Sequence, residues 1–240
     1  MISDFLTGMR NGIPIFLGYF PVAFSFGITA VSMGLSVFDA SIMSFTNLTS
    51  TGQFAGLGII IGGASLAEMA ITQLVINMRY FLMSVSLSQK YGAQTKMLAR
   101  MAAAFFVTDE IFALAASRKG VLTASYLSGI GITAYMGWTS GTVLGAIAGN
   151  VLPTAVTNAL GISLYGMLIA LVIPTAKKSL PVVIVVFTAV VISCAFKYIP
   201  FINNISYGFA IIISTIAASV FGALLFPVNE ADDNEKEGAA

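Results

Sequence analysis

Apolar runs of more than about 18 residues recur along the whole of this chain, and a run of that length can cross a bilayer as a helix. Of its 240 residues, 58% are hydrophobic and 9% are charged, whereas roughly 25% of the residues in a soluble domain are charged. A single apolar core surrounded by water is therefore excluded. Because backbone groups in lipid must find partners within the chain, we predict an all-α polytopic membrane protein.

The apolar segments form one predicted transmembrane domain over residues 1–228, and an acidic, solvated tail follows at residues 229–240. Eight segments can be drawn, and we expect some of them to be broken or re-entrant. They cover residues 12–36, 42–63, 69–89, 97–117, 121–150, 154–176, 180–196 and 205–226.

The basic turns constrain how many segments cross, because cytoplasmic loops collect Lys and Arg. Three basic groups lie at residues 90–100, 118–119 and 177–178. If every segment crossed once, the first two groups would lie on opposite sides of the membrane. If segment 97–117 does not cross fully, all three groups share one side, so we favour seven crossings over eight.

The second segment contains an unusual polar stretch, FTNLTSTGQFAGLG, at residues 45–58. Hydroxyl and amide side chains crowd its first half, namely Asn47, Thr49, Ser50, Thr51 and Gln53. Irregular or Gly-loosened chain persists at membrane depth only where protein or a watery cavity surrounds it. We interpret the stretch as one wall of a substrate path, the alternative being hydrogen bonds between helices.

An internal inverted repeat is a second expectation for this chain, because many transporters are built from repeats with broken helices at corresponding places. Thr49, Ser50, Thr51 and Gly52 have a short echo in residues 139–142 of the fifth segment. The echo is compatible with a repeat and also with chance.

Arg79 lies at the midpoint of the third segment. An unpaired Arg at that depth costs roughly 2.5 to 3.5 kcal/mol on insertion scales, so we expect it to have an acidic partner, Asp109 or Glu110. Neighbouring helix positions point about 100° apart. The two acids are therefore expected to differ, one pairing with Arg79 and the other titrating. The pair either fixes helix packing or contacts a substrate or coupling ion.

Other polar residues of the membrane segments are assigned more simply. A stripe on the third segment is expected to face the path or another helix, with Arg79 off it; its residues are Gln73, Asn77, Tyr80, Ser84 and Ser88. Trp138 is predicted to be an interfacial anchor, the alternative being a role in binding. Glu68 is predicted to be solvated near a segment end.

The sequence contains no recognisable set of catalytic residues. The chain has no histidine and one cysteine, Cys194, which excludes a Ser/His/Asp set, histidine metal ligands and an internal disulfide. We therefore expect no enzyme, no cofactor and no metal. A membrane enzyme built on Asp109 and Glu110 is the remaining alternative of that class.

Several motifs together resemble a known family. They are GMRNGIPIFLGYFPVAFSFG near the start, TSTGQFAG at residues 49–56, the N-x-R of Asn77 and Arg79, and the TDE of residues 108–110. Their order and spacing are similar to those of the AzlC family of branched-chain amino acid permeases. The likeness covers most of the chain to about Ala176 and weakens beyond it.

The resemblance implies a multi-pass protein of the bacterial inner (plasma) membrane that exports valine, leucine or isoleucine together with a small AzlD-type membrane subunit. Such a substrate is a zwitterion with an aliphatic tail. Arg79, or N–H groups of a helix beginning near Gly52, could hold its carboxylate. Asp109 or Glu110, with oxygens of Asn47 and Thr49, could hold its ammonium, and Phe24, Phe54 and Phe105 could form pocket walls.

The mechanism expected from these groups is secondary transport by alternating access, with an inward proton driving export. Two other classes stay open. A channel for ions or small solutes would require pore-lining acids in a ring, and a structural membrane subunit would use its charges for assembly.

Overall fold

The computed structural model of the chain describes residues 2–149, 166, 169, 172–173, 176–177, 179–200 and 205–227. Nine helices have described bounds, the described residues between 166 and 177 are also helical, and no strand lies within the described ranges. The helices are α1 (Ile2–Ser32), α2 (Val37–Thr46), α3 (Ser50–Ile61), α4 (Leu66–Lys90), α5 (Met97–Ala104), α6 (Asp109–Ser117), α7 (Ala124–Gly149), α8 (Leu180–Tyr198) and α9 (Tyr207–Leu225).

The prediction of an all-α membrane protein is confirmed. In the part of the chain that the structure describes, four helices, α1, α4, α8 and α9, are long and apolar enough to cross a bilayer. The number of crossings stays a prediction, because most of the predicted segment 154–176 lies outside the described residues. The same holds for the predicted acidic tail at 229–240.

Helices α1 and α7 pack side by side along most of their length. Three glycines of α7 recur every fourth residue against the carbonyl oxygens of α1, with Gly137 facing Phe16, Gly141 facing Phe20 and Gly145 facing Phe24. A Cβ at any of them would be too close to those backbone atoms, so the small residues permit the close approach. Because the residue numbers of the contacting pairs increase together along both helices, α1 and α7 are parallel.

The polar second segment forms a re-entrant hairpin of α2 and α3, whereas the sequence predicted one segment over residues 42–63. Ala40 of α2 and Leu57 of α3 share one buried cluster with Phe26 and Ala30 near the end of α1. Near the tip of the hairpin, Gln53 accepts a hydrogen bond from Trp138 in the middle of α7. The chain therefore enters and leaves this hairpin at the same face of the membrane.

Helices α5 and α6 form a second hairpin, which enters from the other face. Arg100 of α5 donates to the Gly92 carbonyl at 3.1 Å, and Arg118, after α6, pairs with Asp4 of α1 at 3.0 Å. A segment that does not cross fully was expected here. In an inverted repeat, the hairpin α5–α6 would therefore correspond to the first hairpin. The predicted echo at residues 139–142 instead lies inside the continuous helix α7.

The described residues at the second hairpin's face include most of the basic residues near the membrane ends. They are Lys90 at the end of α4, Arg100 in α5, and Lys96, Arg118 and Lys119 in the adjoining loops, and Arg118 contacts Asp4 at the start of α1. We call this side the basic face, and the side where α1 ends the opposite face. The positive-inside rule therefore predicts that the basic face is cytoplasmic.

Candidate functional site

The tips of the two hairpins meet in the middle of the molecule, and each tip is a helix N-terminus capped by a threonine. Thr49 accepts a hydrogen bond from the Gly52 N–H at 3.2 Å at the start of α3. Thr108 accepts one from the Ile111 N–H at 3.5 Å at the start of α6. Helix N-termini carry partial positive charge, so two such ends face one region from opposite membrane faces.

The two N-termini differ in charge. The first turn of α6 contains Asp109 and Glu110, whereas the first turn of α3 contains no acidic residue and instead has Ser50 and Thr51. Acidic side chains therefore offset the partial positive charge at the start of α6, whereas none does so at the start of α3.

Arg79 of α4 pairs with Asp109, with 2.7 Å between Nη1 and Oδ2. The side chains are 34% and 21% exposed, so the pair is half-buried and open on one side. A second guanidinium nitrogen donates to the Tyr80 hydroxyl at 3.1 Å. This ion pair joins α4 to the tip of the second hairpin.

Glu110 has a different set of partners. The buried Tyr19 hydroxyl of α1 lies 2.5 Å from Glu110 Oε2 and 2.7 Å from Thr108 Oγ1. Glu110 thus accepts from a neutral hydroxyl, that of Tyr19, whereas Asp109 pairs with a cation. The sequence did not predict a role for Tyr19, because its position in a long apolar helix gives no local signal. Of the two sides of this contact, only the TDE motif at residues 108–110 stood out in the sequence.

The first part of the polar stripe of α4 faces α3, whereas Ser84 and Ser88 line a cavity beside α5. Gln73 donates to the Gly52 carbonyl at 2.7 Å, and Asn77 donates to Gln73 at 3.1 Å. The Tyr80 hydroxyl lies 3.5 Å from Thr49 Oγ1. The stripe therefore fixes the first hairpin against α4.

Gln53 belongs to a buried network between helices. It accepts from Trp138 Nε1 at 2.8 Å and donates to Ser44 at 2.9 Å, and the Ser44 hydroxyl lies 2.7 Å from that of Thr142. Gln53 and Trp138 are each only 1% exposed. The prediction that Trp138 is an interfacial anchor is wrong, because its indole N–H has a partner deep in the core.

A cavity of about 810 Å³ lies between α1, α3, α4 and α9, next to the hairpin tips. Thr51 and Arg79 contribute polar groups to its wall, and the remaining lining is largely apolar, with Phe54, Leu57, Val75, Ile76 and Ile211. It thus combines one cation with an aliphatic and aromatic surface.

The other predicted site residues lie around this region in different roles. Asn47 ends α2, and its side-chain oxygen accepts from the Thr49 N–H at 3.4 Å. Ser50 is half-buried at the start of α3. Of the predicted pocket walls, Phe54 lines the cavity, whereas the Phe24 backbone packs on Gly145 of α7 and Phe105 packs on Tyr135.

Glu68 is a buried residue that was predicted to be solvated, and that prediction is wrong. It is 4% exposed, and one carboxylate oxygen accepts from the Ser206 hydroxyl at 2.5 Å and the Gly208 N–H at 3.0 Å. These donors lie at the start of α9, so Glu68 caps that helix and ties it to α4 at the opposite face.

Comparison with known proteins assigns the family. The model described as AzlC protein matches residues 14–152, which is more than half of the chain. This chain belongs to the AzlC family. Both hairpins and the Arg79–Asp109 pair fall inside the matched region.

Relatives of this AzlC-family chain are membrane proteins. It is 28% identical to the inner membrane protein YgaZ of Escherichia coli over 73% of this chain and 75% of the relative. An uncharacterized membrane protein of Archaeoglobus fulgidus is 30% identical over 72% and 76%. The branched-chain amino acid transport protein AzlC of Bacillus subtilis is 24% identical over 62% and 59%. No solved structure matches the chain. The chain is a multi-pass cell-membrane protein.

Proposed function

We propose that this AzlC-family chain is the large subunit of a secondary transporter that exports branched-chain amino acids. One observation carries the proposal: a half-buried Arg79–Asp109 pair lies where two opposed hairpin tips meet, beside a largely apolar cavity. Charged groups at membrane depth are expensive and typically mark substrate or ion pathways. A small zwitterion with an aliphatic side chain is complementary to this combination.

Each part of the substrate has a candidate partner. Arg79 and the uncompensated N-terminus of α3 favour the carboxylate. Asp109 favours the ammonium, with oxygens of Asn47 and Thr49 as further acceptors. The aliphatic side chain fits against Phe54, Leu57 and the neighbouring apolar lining.

Coupling and direction belong to the same proposal. Two half-helices that enter from opposite faces provide the broken-helix geometry on which alternating access is built in other transporters. Glu110 is the carboxylate available to carry an inward proton, because Asp109 is held by Arg79. The small AzlD-type membrane subunit implied by the family resemblance completes the proposed exporter.

The test is valine flux in proteoliposomes that contain the chain with or without an AzlD-type subunit. With labelled valine and an imposed pH gradient, we expect saturable flux, which Arg79→Ala and Asp109→Asn reduce at least about tenfold through lost charge pairing. Lys119→Ala and Asp39→Asn are the matched controls, because both wild-type side chains are exposed and far from the hairpin tips.

Each outcome separates the hypotheses. Flux that does not depend on the protein rejects the exporter, and non-saturable flux favours a channel. Normal flux in both site variants, at normal protein level, rejects the site.

A further inference from the structure

The Arg79 guanidinium is already engaged by the protein itself. Nη1 pairs with Asp109, Nη2 donates to Tyr80, and Nε is buried without a hydrogen-bond partner among the described residues. Carboxylates bind Arg best through two parallel N–H bonds. A substrate carboxylate arriving from the cavity therefore competes with Asp109 for one guanidinium.

We infer that the substrate binds by inserting between Arg79 and Asp109, so that the ion pair seen here is the resting state of the binding site. This inference rests on the proposed function. The substrate carboxylate replaces Asp109 at Arg79, and the released Asp109 takes the substrate ammonium. Every charge then has an opposite partner both before and after binding.

The arrangement of the neighbouring groups supports Asp109 over Glu110 in this role. Arg79 lines the cavity, and the Asp109 side chain is 21% exposed, so a ligand can reach the pair. Glu110 instead accepts a hydrogen bond from the Tyr19 hydroxyl, and among the described residues it forms no ion pair. Asp109 is therefore the carboxylate that competes with a ligand for Arg79.

Insertion also explains how such a site would reject ligands with one charge. A carboxylate alone would displace Asp109 and leave it unpaired, and an amine alone would leave Arg79 unpaired. A half-buried charge without a partner is strongly unfavourable. Selectivity for zwitterions would thus come from the ion pair itself, whereas the apolar cavity wall would select the side chain.

Charge complementation between ligand and protein tests the inference. The full-length chain, co-expressed with an AzlD-type subunit and placed in nanodiscs, is titrated calorimetrically with valine, 3-methylbutanoate and 2-methylpropan-1-amine. The wild type should bind valine at least about tenfold more tightly than either single-charge ligand. Asp109→Asn should reverse this order in favour of 3-methylbutanoate, and Arg79→Gln in favour of the amine. Lys119→Ala, the control, changes an exposed charge outside the site and should keep the wild-type order.

A second measurement needs no substitution and covers the case in which a variant does not fold. In the wild type, saturating methylamine should tighten 3-methylbutanoate binding at least about tenfold, because the two fragments together restore both charge pairs. Independent binding of the fragments, or variants that keep the wild-type ligand order, would overturn the insertion model. A wild type that binds no valine would instead reject the proposed function.

Discussion

Among single residues, the adjacent carboxylates Asp109 and Glu110 differ in the groups that they contact. Asp109 lies on a guanidinium and Glu110 on the Tyr19 hydroxyl. The helix spacing predicts that they point about 100° apart, and the contacts confirm that they do not share a partner. In the proposed function, Asp109 binds the substrate and Glu110 carries the proton.

Glu110→Gln is expected to uncouple transport. The carboxamide can still accept from Tyr19, but it cannot release or take up a proton. Valine counterflow between two equilibrated pools should persist, while flux driven by a pH gradient should fall at least about tenfold, the usual lower range for losing a proton-transfer group. Both are measured in the same proteoliposomes. Gradient-driven flux that matches the wild type would show that the proton uses another group.

Some side-chain partners could be predicted from the sequence and others could not, for one physical reason. Arg79 could be assigned an acidic partner because a mid-membrane charge is expensive when unpaired. Tyr19 and Glu68 could not be assigned, because their partners lie 91 and 138 residues away in the chain. The local sequence of Tyr19 is that of an apolar helix, and the local sequence of Glu68 is that of a polar helix start. Only the tertiary fold brings those groups together.

At the element scale, the close contact of α1 and α7 depends on glycine. Gly145→Ala would push a Cβ into the Phe24 carbonyl, and we expect the free energy of unfolding to fall by about 1 to 3 kcal/mol, as for other overpacked sites. Gly18→Ala on α1 is the matched control, since a Cβ there meets nothing within 4 Å. Its better helix propensity should leave stability unchanged or slightly raised.

Thermal unfolding of the two glycine variants in detergent checks this expectation. The prediction is a lower melting temperature for Gly145→Ala than for Gly18→Ala. Equal melting temperatures would mean that the two helices can separate without loss, contrary to the packing described here.

The breaks within the two hairpins were only partly predictable. The hydroxyl-rich stretch at residues 45–58 was recognised as irregular, yet segment 42–63 was drawn as one span. Asn47 and Thr49 end one helix and begin the next, but the same residue types also occur in kinked helices. What distinguishes a hairpin is the packing of Leu57 beside Phe26 and Ala30, and no local sequence pattern contains that contact.

At the scale of the whole molecule, the fold predicts which ends share a membrane face. In a Cys194→Ser background, Ser88→Cys and Ser117→Cys should react with an impermeant thiol reagent from the cytoplasmic side. Met33→Cys should react from the other side. Both wild-type serines lie near the ends of helices at the basic face, and Met33 follows α1 at the opposite face. Labelling of Ser88→Cys and Ser117→Cys from opposite sides would reject the second hairpin.

The central claim is that a branched-chain amino acid binds where the two hairpin tips meet. The chain has one tryptophan, Trp138, and its indole N–H bonds to Gln53 in the first turns of α3. Its fluorescence therefore reports on the first hairpin directly. Titrating valine into the reconstituted protein should give a saturable fluorescence change, which Arg79→Gln weakens at least about tenfold and Lys119→Ala leaves intact. A wild type that transports valine with no such change, or an unaltered response in Arg79→Gln, would contradict the account.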